Sequence, residues 1–151
     1  MSTSSESKRS ILLVEDDAND IELTKRAFER NRLANVFLVA RDGAEALEML
    51  FGSSVERPHP DLSELQLILL DLKLPKVSGL EVLRKIRADE RTRMIPVVVL
   101  TSSDEERDVV ESYGLGANSY VRKPIDFEQF VEAVRELGLY WLVLNKTVKR
   151  D

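Results

Sequence analysis

The segment QLILLDLKLPKVSGL, Gln66 to Leu80, places Asp71 directly behind four large apolar residues, Leu67, Ile68, Leu69 and Leu70. A short, wholly apolar run bounded by turn residues reads as a strand buried on both faces. A bare carboxylate beside such a strand is costly unless something compensates its charge. Lys73, Pro75 and Gly79 then mark a shaped loop before the next element. Four further strands lie along the chain: the wholly apolar Ile11 to Val14, the candidate Val36 to Ala40, the valine-rich Ile95 to Leu100 and the shorter Ala117 to Val121.

Helical patterns separate them. After Asp16 and Asp17, residues Ile21, Thr24, Ala27 and Phe28 recur at helical spacing. Asp42-x-x-Glu45 resembles a capping box, with Leu47, Leu50 and Phe51 on one stripe behind it. Gly52 to Glu64, with its prolines and polar residues, reads as a loop. Ser78-x-x-Glu81 opens a helix carrying Leu80, Leu83 and Ile86. Ser103-x-x-Glu106 opens another bearing Val109, Val110 and Tyr113, which Gly114 and Gly116 end. Asp126-x-x-Gln129 starts a last helix with Phe130, Val134, Leu137 and Trp141. Strand and helix thus alternate without an internal repeat. The pattern predicts an α/β domain: a doubly wound parallel sheet, helices on both faces, right-handed crossovers.

The 151 residues are 43% hydrophobic and 32% charged, with a net charge of -5. That length fits one domain, and the acidic balance argues against a hold on nucleic-acid phosphates. The absence of cysteine excludes disulfides, thiolate metal sites and cysteine nucleophiles. The polar start, MSTSSESKRS, lacks the apolar core of a signal peptide. No apolar run reaches the roughly 18 residues of a membrane span. The expectation is a soluble, cytoplasmic protein with no nucleic-acid or membrane partner, in which residues 1–10 form a disordered lead-in.

Open α/β sheets bind ligands outside the carboxyl ends of their strands. Glu15-Asp16-Asp17 follow the first strand, Asp71 the third, Thr101-Ser102-Ser103 the fourth and Lys123-Pro124 the fifth. The second offers only Arg41-Asp42. Singly, each has an ordinary reading, since acids and hydroxyls cap helices and lysines are solvated. Together at one sheet edge they make a site. Crowded carboxylates repel unless a cation sits among them, and an all-oxygen set favours Mg²⁺ over zinc. A phosphoryl group arriving there would meet the metal, Lys123 and the Thr101 hydroxyl, which together spread the charge of phosphoryl transfer. Asp71, central in the sheet, is the candidate nucleophile, giving an aspartyl phosphate. His59, between two prolines, reads as incidental.

The pieces ILLVEDD, LILLDLKLPKVSGL, VVVLTSS and SYVRKP, in that order from Ile11 to about Leu137, resemble the receiver domain of two-component response regulators. The resemblance implies a flavodoxin-like five-stranded sheet of order 2-1-3-4-5, with residues 11–137 as the receiver domain. It implies that Asp71 takes its phosphoryl group from the phosphohistidine of a sensor histidine kinase. Asp16 would bind Mg²⁺ directly and Glu15 through water, with the Lys73 backbone carbonyl completing the protein ligands beside Asp71. Thr101 would move to the phosphoryl oxygen, Lys123 would pair with it, and Tyr120 would turn inward as the switch aromatic. In that family the peptide at Lys123-Pro124 is often cis. Asp17, one place beyond the acidic pair, reads as a helix cap. Such a protein is not an enzyme beyond its own phosphoryl transfer and autodephosphorylation. Ser78 departs from the family's frequent Asp, and the segment from Gly52 to Glu64 is longer than its usual connection. Lys73 and Ser103 occupy positions that tune phosphoryl lifetime.

Too little chain follows the start of the last helix for a DNA-binding module, so output is expected through protein contacts or onward phosphorelay. Leu137 to Leu144, LGLYWLVL, is apolar around a whole helix, whereas a monomer's final helix buries one stripe. Either the chain leaves the helix near Gly138 and packs a tail on the core, or residues 138–151 extend it into a homodimer contact burying Tyr140, Trp141 and Leu144. This extension, the RPHPDL loop and TKRAFERN resemble small stand-alone regulators paired with bacterial and cyanobacterial phytochrome kinases, commonly homodimers. A phosphorylation-independent interaction module of the same fold would not need Asp16, Asp71, Thr101 and Lys123 all in place. A phosphatase would want a second acid where Lys73 stands, and a nucleotide or flavin carrier would want a glycine-rich loop after the first strand.

Overall fold

Five strands form one parallel sheet: β1 (Ser10–Val14), β2 (Val36–Ala40), β3 (Leu65–Asp71), β4 (Val97–Thr101) and β5 (Ser119–Arg122). The spatial order is β2-β1-β3-β4-β5, the flavodoxin-like arrangement. The helices between and after them are α1 (Ala18–Asn31), α2 (Gly43–Phe51), α3 (Gly79–Ala88), α4 (Asp104–Ser112) and α5, residues 127–136. The computed structural model describes residues 10–31, 36–53, 59–102, 104–112, 114–123 and 126–136. Among the described residues no helix is long and apolar enough to cross a membrane.

Side chains alternate across a strand, so the wholly apolar runs feed two cores. Leu12, Val14, Ile68, Leu70, Val97 and Val99 pack with α2, α3 and α4 through Met49, Leu83, Ile86 and Val110. Ile11, Leu13, Leu67, Leu69, Val98 and Leu100 pack with α1 and α5 through Ile21, Phe28, Phe130 and Val134. A fully buried leucine or isoleucine contributes about 1.5–3 kcal/mol. The continuous runs are therefore what two-sided burial demands.

The caps follow the sequence closely. Asp17 Oδ1 accepts the Asp20 N–H at 2.9 Å, Asp42 accepts that of Glu45 at 2.7 Å, Ser78 that of Glu81 at 3.3 Å and Asp126 that of Gln129 at 3.0 Å. At the second of these, the Glu45 carboxylate also reaches back to the Arg41 N–H, one residue before the cap. Helix α4 ends on Gly114 at φ 60, a left-handed position that suits glycine. Its N–H and that of Leu115 donate to Glu111 and Val110.

Some boundaries moved. The loop from Gly52 to Glu64 contains a 3-10 turn at Leu62–Glu64, capped by Asp61. Strand β4 starts at Val97 rather than Ile95, because Pro96 has no N–H to donate and enters only through its carbonyl, which accepts from Ile68. Strand β5 starts at Ser119 rather than Ala117. Before it, the Asn118 side chain takes the Val97 N–H at 2.9 Å in place of a strand partner. On α2 the buried positions are Gly43, Ala46, Met49 and Leu50, with Leu47 and Phe51 at the margin. Of the expected capping and packing residues, Ser103, Tyr113, Leu137 and Trp141 lie outside the described residues.

Arg87, at the end of α3, joins three segments. Its guanidinium donates to the carbonyls of Arg93 and Ile95, twice to that of Gly116, and to the Asn118 side chain. Burial lowers its pKa, yet a guanidinium starts so far above neutral that it stays charged. Arg87→Lys keeps the charge and loses the fork. A destabilisation of about 1–3 kcal/mol is expected in urea unfolding, and a loss below ~0.5 kcal/mol would show the fork to be dispensable.

Candidate functional site

The parallel register decides which chemical groups meet. Leu13 pairs with Leu69 and Val14 with Leu70, so Glu15, the next residue on that face, stands beside Asp71. Glu15 continues the sheet by donating its N–H to Ala40 at 2.9 Å. Asp71 pairs with Leu100, and Leu100 with Val121. Lys123 lies two residues beyond Val121 and donates its N–H to Thr101 at 2.8 Å. Glu15, Asp71 and Lys123 therefore share the face of α1 and α5. Thr101 has the parity of Val97 and Val99, and Tyr120 pairs with Val99, so these two share the opposite face. Both sets open at the carboxyl end of the sheet.

Lys123 Nζ lies 2.9 Å from Glu15 Oε1, 3.0 Å from Asp20 Oδ2 and 3.2 Å from Asp71 Oδ2. Glu15 is 0% exposed and Asp71 5%. The ammonium's directed hydrogen bond to Glu15 goes to Oε2, at 3.1 Å, which also accepts the Asp17 N–H at 3.2 Å. Oε1 is in ion-pair contact but makes no directed hydrogen bond, an unsatisfied buried oxygen. Burial, opposed by the Lys123 hydrogen bond and reinforced by the Asp71 charge, pushes the Glu15 carboxyl up to about 7. Burial also works against the Lys123 ammonium, but its bonds to Glu15 and Asp20 and the charges of Asp71 and Glu15 outweigh it. Lys123 stays charged above the ordinary lysine range.

Asp71 is held from the loop side as well, its Oδ1 accepting the Lys73 N–H at 3.1 Å. Gly79 starts α3 against this loop. Its N–H donates to Leu72 at 3.0 Å, and a Cβ there would stand 2.3 Å from the Asp71 carbonyl oxygen, so a side chain is excluded. Lys76, in the same loop, takes φ 67 and brings its amine to 3.6 Å from Asp42.

Among the described residues, carboxylate oxygens of Glu15, Asp16 and Asp71 lie within 4.8 Å of one another. Two are buried and Asp16 is exposed, so the cluster opens to solvent on one side. An all-carboxylate set with an unsatisfied oxygen suits a hard divalent cation that keeps part of its water. Thr101 is 3% exposed at the end of β4. Tyr120 is half-buried, with the Arg107 guanidinium 5.1 Å from its ring centroid. Pro124, Tyr140, Trp141 and Leu144 lie outside the described residues.

Asp20 was missed in the sequence reading. An acid in the first turn of a helix is usual, because the helix dipole favours it, so nothing in its spacing marked it. Asp17 acts as the expected cap.

Removing the cation from this cluster tests the electrostatics. Lys123→Met leaves Glu15 and Asp71 buried without their partner, and a loss of about 3 kcal/mol is expected at pH 8. Folded Glu15 holds its proton to about pH 7 against an ordinary 4.5, so its ionisation costs stability as pH rises through that range. The loss should therefore shrink toward pH 5. Urea unfolding of both proteins at pH 5 and pH 8 checks this, and equal losses at the two pH values would contradict it.

The family profile described as "Response regulator receiver domain" matches residues 11–135. Among sequence relatives, "Probable methanogenesis regulatory protein FilR2" of Methanothrix harundinacea is 42% identical over 142 residues, covering 91% of this chain and 86% of that protein. "Response regulator Rcp1" of Synechocystis sp. is 37% identical over 144 residues, covering 94% and 95%. Among solved structures, "Bacteriophytochrome response regulator RtBRR" is 54% identical with a TM-score of 0.71, covering 86% of this chain and 78% of that one. The phosphorylated cyanobacterial phytochrome response regulator RcpA has 37% identity and a TM-score of 0.74, covering 90% and 95%. The Mn(2+)-bound form of Rcp1 has 36% identity and a TM-score of 0.72, covering 89% and 94%. With this sheet order and this acidic edge, the chain belongs to the response regulator receiver-domain family, whose role in two-component signalling is to accept a phosphoryl group.

Proposed function

We propose that Asp71 is the phosphoryl acceptor of a switch driven by a sensor histidine kinase, and that the kinase is a bacteriophytochrome. The observation that carries the first part is the Asp71 carboxylate itself. It is buried at the sheet's central carboxyl edge, flanked by Glu15 and Asp16 and paired with Lys123 at 3.2 Å. The second part rests on the phytochrome response regulators among the similar structures.

In the transfer, an Asp71 Oδ–P bond forms as the phosphohistidine N–P bond breaks, and the departing imidazole nitrogen keeps the electron pair and takes a proton. A carboxylate nucleophile needs no base. The Mn(2+)-bound Rcp1 supports a divalent ion here. We assign Mg²⁺ to Asp16, Asp71 and the Lys73 carbonyl, with Glu15 through water; when bound it supplies positive charge to the phosphoryl oxygens. Lys123 pairs with a phosphoryl oxygen and Thr101 donates its hydroxyl to another. Tyr120, on the face of Thr101, follows it inward and changes the surface that partners read. Autodephosphorylation reverses the state: water attacks phosphorus, the P–Oδ bond breaks, and phosphate leaves with the Asp71 carboxylate restored. The switch works in the cytoplasm, within reach of the kinase, and residues 11–137 form its receiver domain.

Incubation with Mg²⁺ and acetyl phosphate, followed by intact mass measurement, tests the acceptor. Wild type is expected to gain one acid-labile phosphoryl group and Asp71→Asn none; a gain in the variant, or none in wild type, sinks the assignment.

We also propose a homodimer through residues 138–151, supported by the all-round apolar sequence at Tyr140, Trp141 and Leu144. Light scattering at tens of micromolar protein should give twice the chain mass, falling to the monomer in Trp141→Glu. A wild-type monomer, with or without acetyl phosphate, would end this reading.

A further inference from the structure

The lysine that serves the phosphoryl group is already fully engaged. An ammonium has three protons, and Lys123 Nζ faces three carboxylates, those of Glu15, Asp20 and Asp71. A phosphoryl oxygen therefore competes with these acids for the ammonium. Glu15 is fully buried, and losing its partner would leave a charge without solvent. Asp71 carries the phosphoryl group itself, so its contact passes to a phosphoryl oxygen and leaves Glu15 and Asp20 as the competitors. The Asp20 side chain is 25% exposed, so water can take over when Lys123 leaves, at the smaller cost of the two.

Asp20 is also held in place for this task. Its N–H is fixed by Asp17 Oδ1 at 2.9 Å and its carbonyl by the buried Thr24 hydroxyl at 2.7 Å. Because Asp17 already caps α1, the Asp20 carboxylate is free of that duty, and it points to the end of β5 rather than to the helix backbone. We infer that Asp20 is a positioning residue for Lys123: it holds the ammonium toward α1 and competes with the phosphoryl group for it. It thereby sets how strongly the phosphorylated state is favoured. This rests on the phosphoacceptor reading of Asp71.

Beryllofluoride in saturating Mg²⁺ is the probe, with Asp71 Oδ replacing one ligand of beryllium to mimic the phosphoryl group, and its affinity is read by calorimetry. Asp20→Asn removes the competing charge at constant shape, and binding is expected to tighten about three- to tenfold, the scale of one partly exposed charged contact. Asp20→Ala, a good helix former, should move the same way and serves if the first variant does not fold. Asp20→Glu should stay within about twofold of wild type. Asp17→Asn removes a neighbouring charge that does not touch Lys123 and still caps the helix, so it should leave affinity unchanged. Unchanged or weaker binding in the Asp20 variants overturns the inference, as does equal tightening in Asp17→Asn, which would assign the effect to the general field. Wild type that binds no beryllofluoride overturns the phosphoacceptor reading itself, and this inference with it.

Discussion

One ammonium holds the functional edge of this protein together. Lys123 stands at the end of β5, an edge strand, yet it contacts carboxylates from the ends of β1 and β3 and from the first turn of α1. Burial first, and then the Asp71 charge, make Glu15 bind its proton unusually tightly, and three acids around one lysine leave a net negative cluster that suits a further cation. A carboxylate at the end of a buried apolar strand is tolerable only because this compensation exists. The sheet order β2-β1-β3-β4-β5 supplies it by setting β3 between β1 and β4.

The period-two alternation of the strands divides labour between the faces. Glu15, Asp71 and Lys123 share the parity of the core under α1 and α5, while Thr101 and Tyr120 share that of the core under α2, α3 and α4. The acidic cluster with its lysine and the Thr101–Tyr120 pair thus sit on opposite sides of the sheet and meet at its carboxyl edge. Arg107 over the Tyr120 ring ties β5 to α4. A cation over an aromatic face contributes about 0.5–1 kcal/mol at an exposed site.

The loops around Asp71 are crowded. A Cβ on Gly43 would meet the Val77 carbonyl oxygen at 2.0 Å, and one on Gly79 the Asp71 carbonyl oxygen at 2.3 Å. The N-termini of α2 and α3 are thereby pressed on the β3–α3 connection, which presents the Lys73 N–H to Asp71. A lysine at positive φ, Lys76, costs about 1–3 kcal/mol in such a position, and its amine lies beside Asp42 at the start of α2.

Much of this was legible in the chain. The apolar runs at Ile11–Val14 and Leu67–Leu70 called for two-sided burial, and their alternation with helical segments called for a parallel sheet under helices. Acids, a hydroxyl and an amine at the strand ends pointed to Glu15, Asp16, Asp71, Thr101 and Lys123, since strand ends of such a sheet converge on one edge. Caps at Asp17, Asp42, Ser78 and Asp126 were readable because capping is local, made within three or four residues. What sequence could not give were interactions across strands. Asn118 standing in for a strand partner, Arg87 tying α3 to the loop before β5, and Asp20 reaching Lys123 all join residues far apart in the chain. Their local roles (a polar loop residue, a basic helix end, an acid in a first turn) were ordinary ones. Only register and helix packing decide which distant charges lie within 3 Å of each other, and that distance separates a solvated acid from a member of the site.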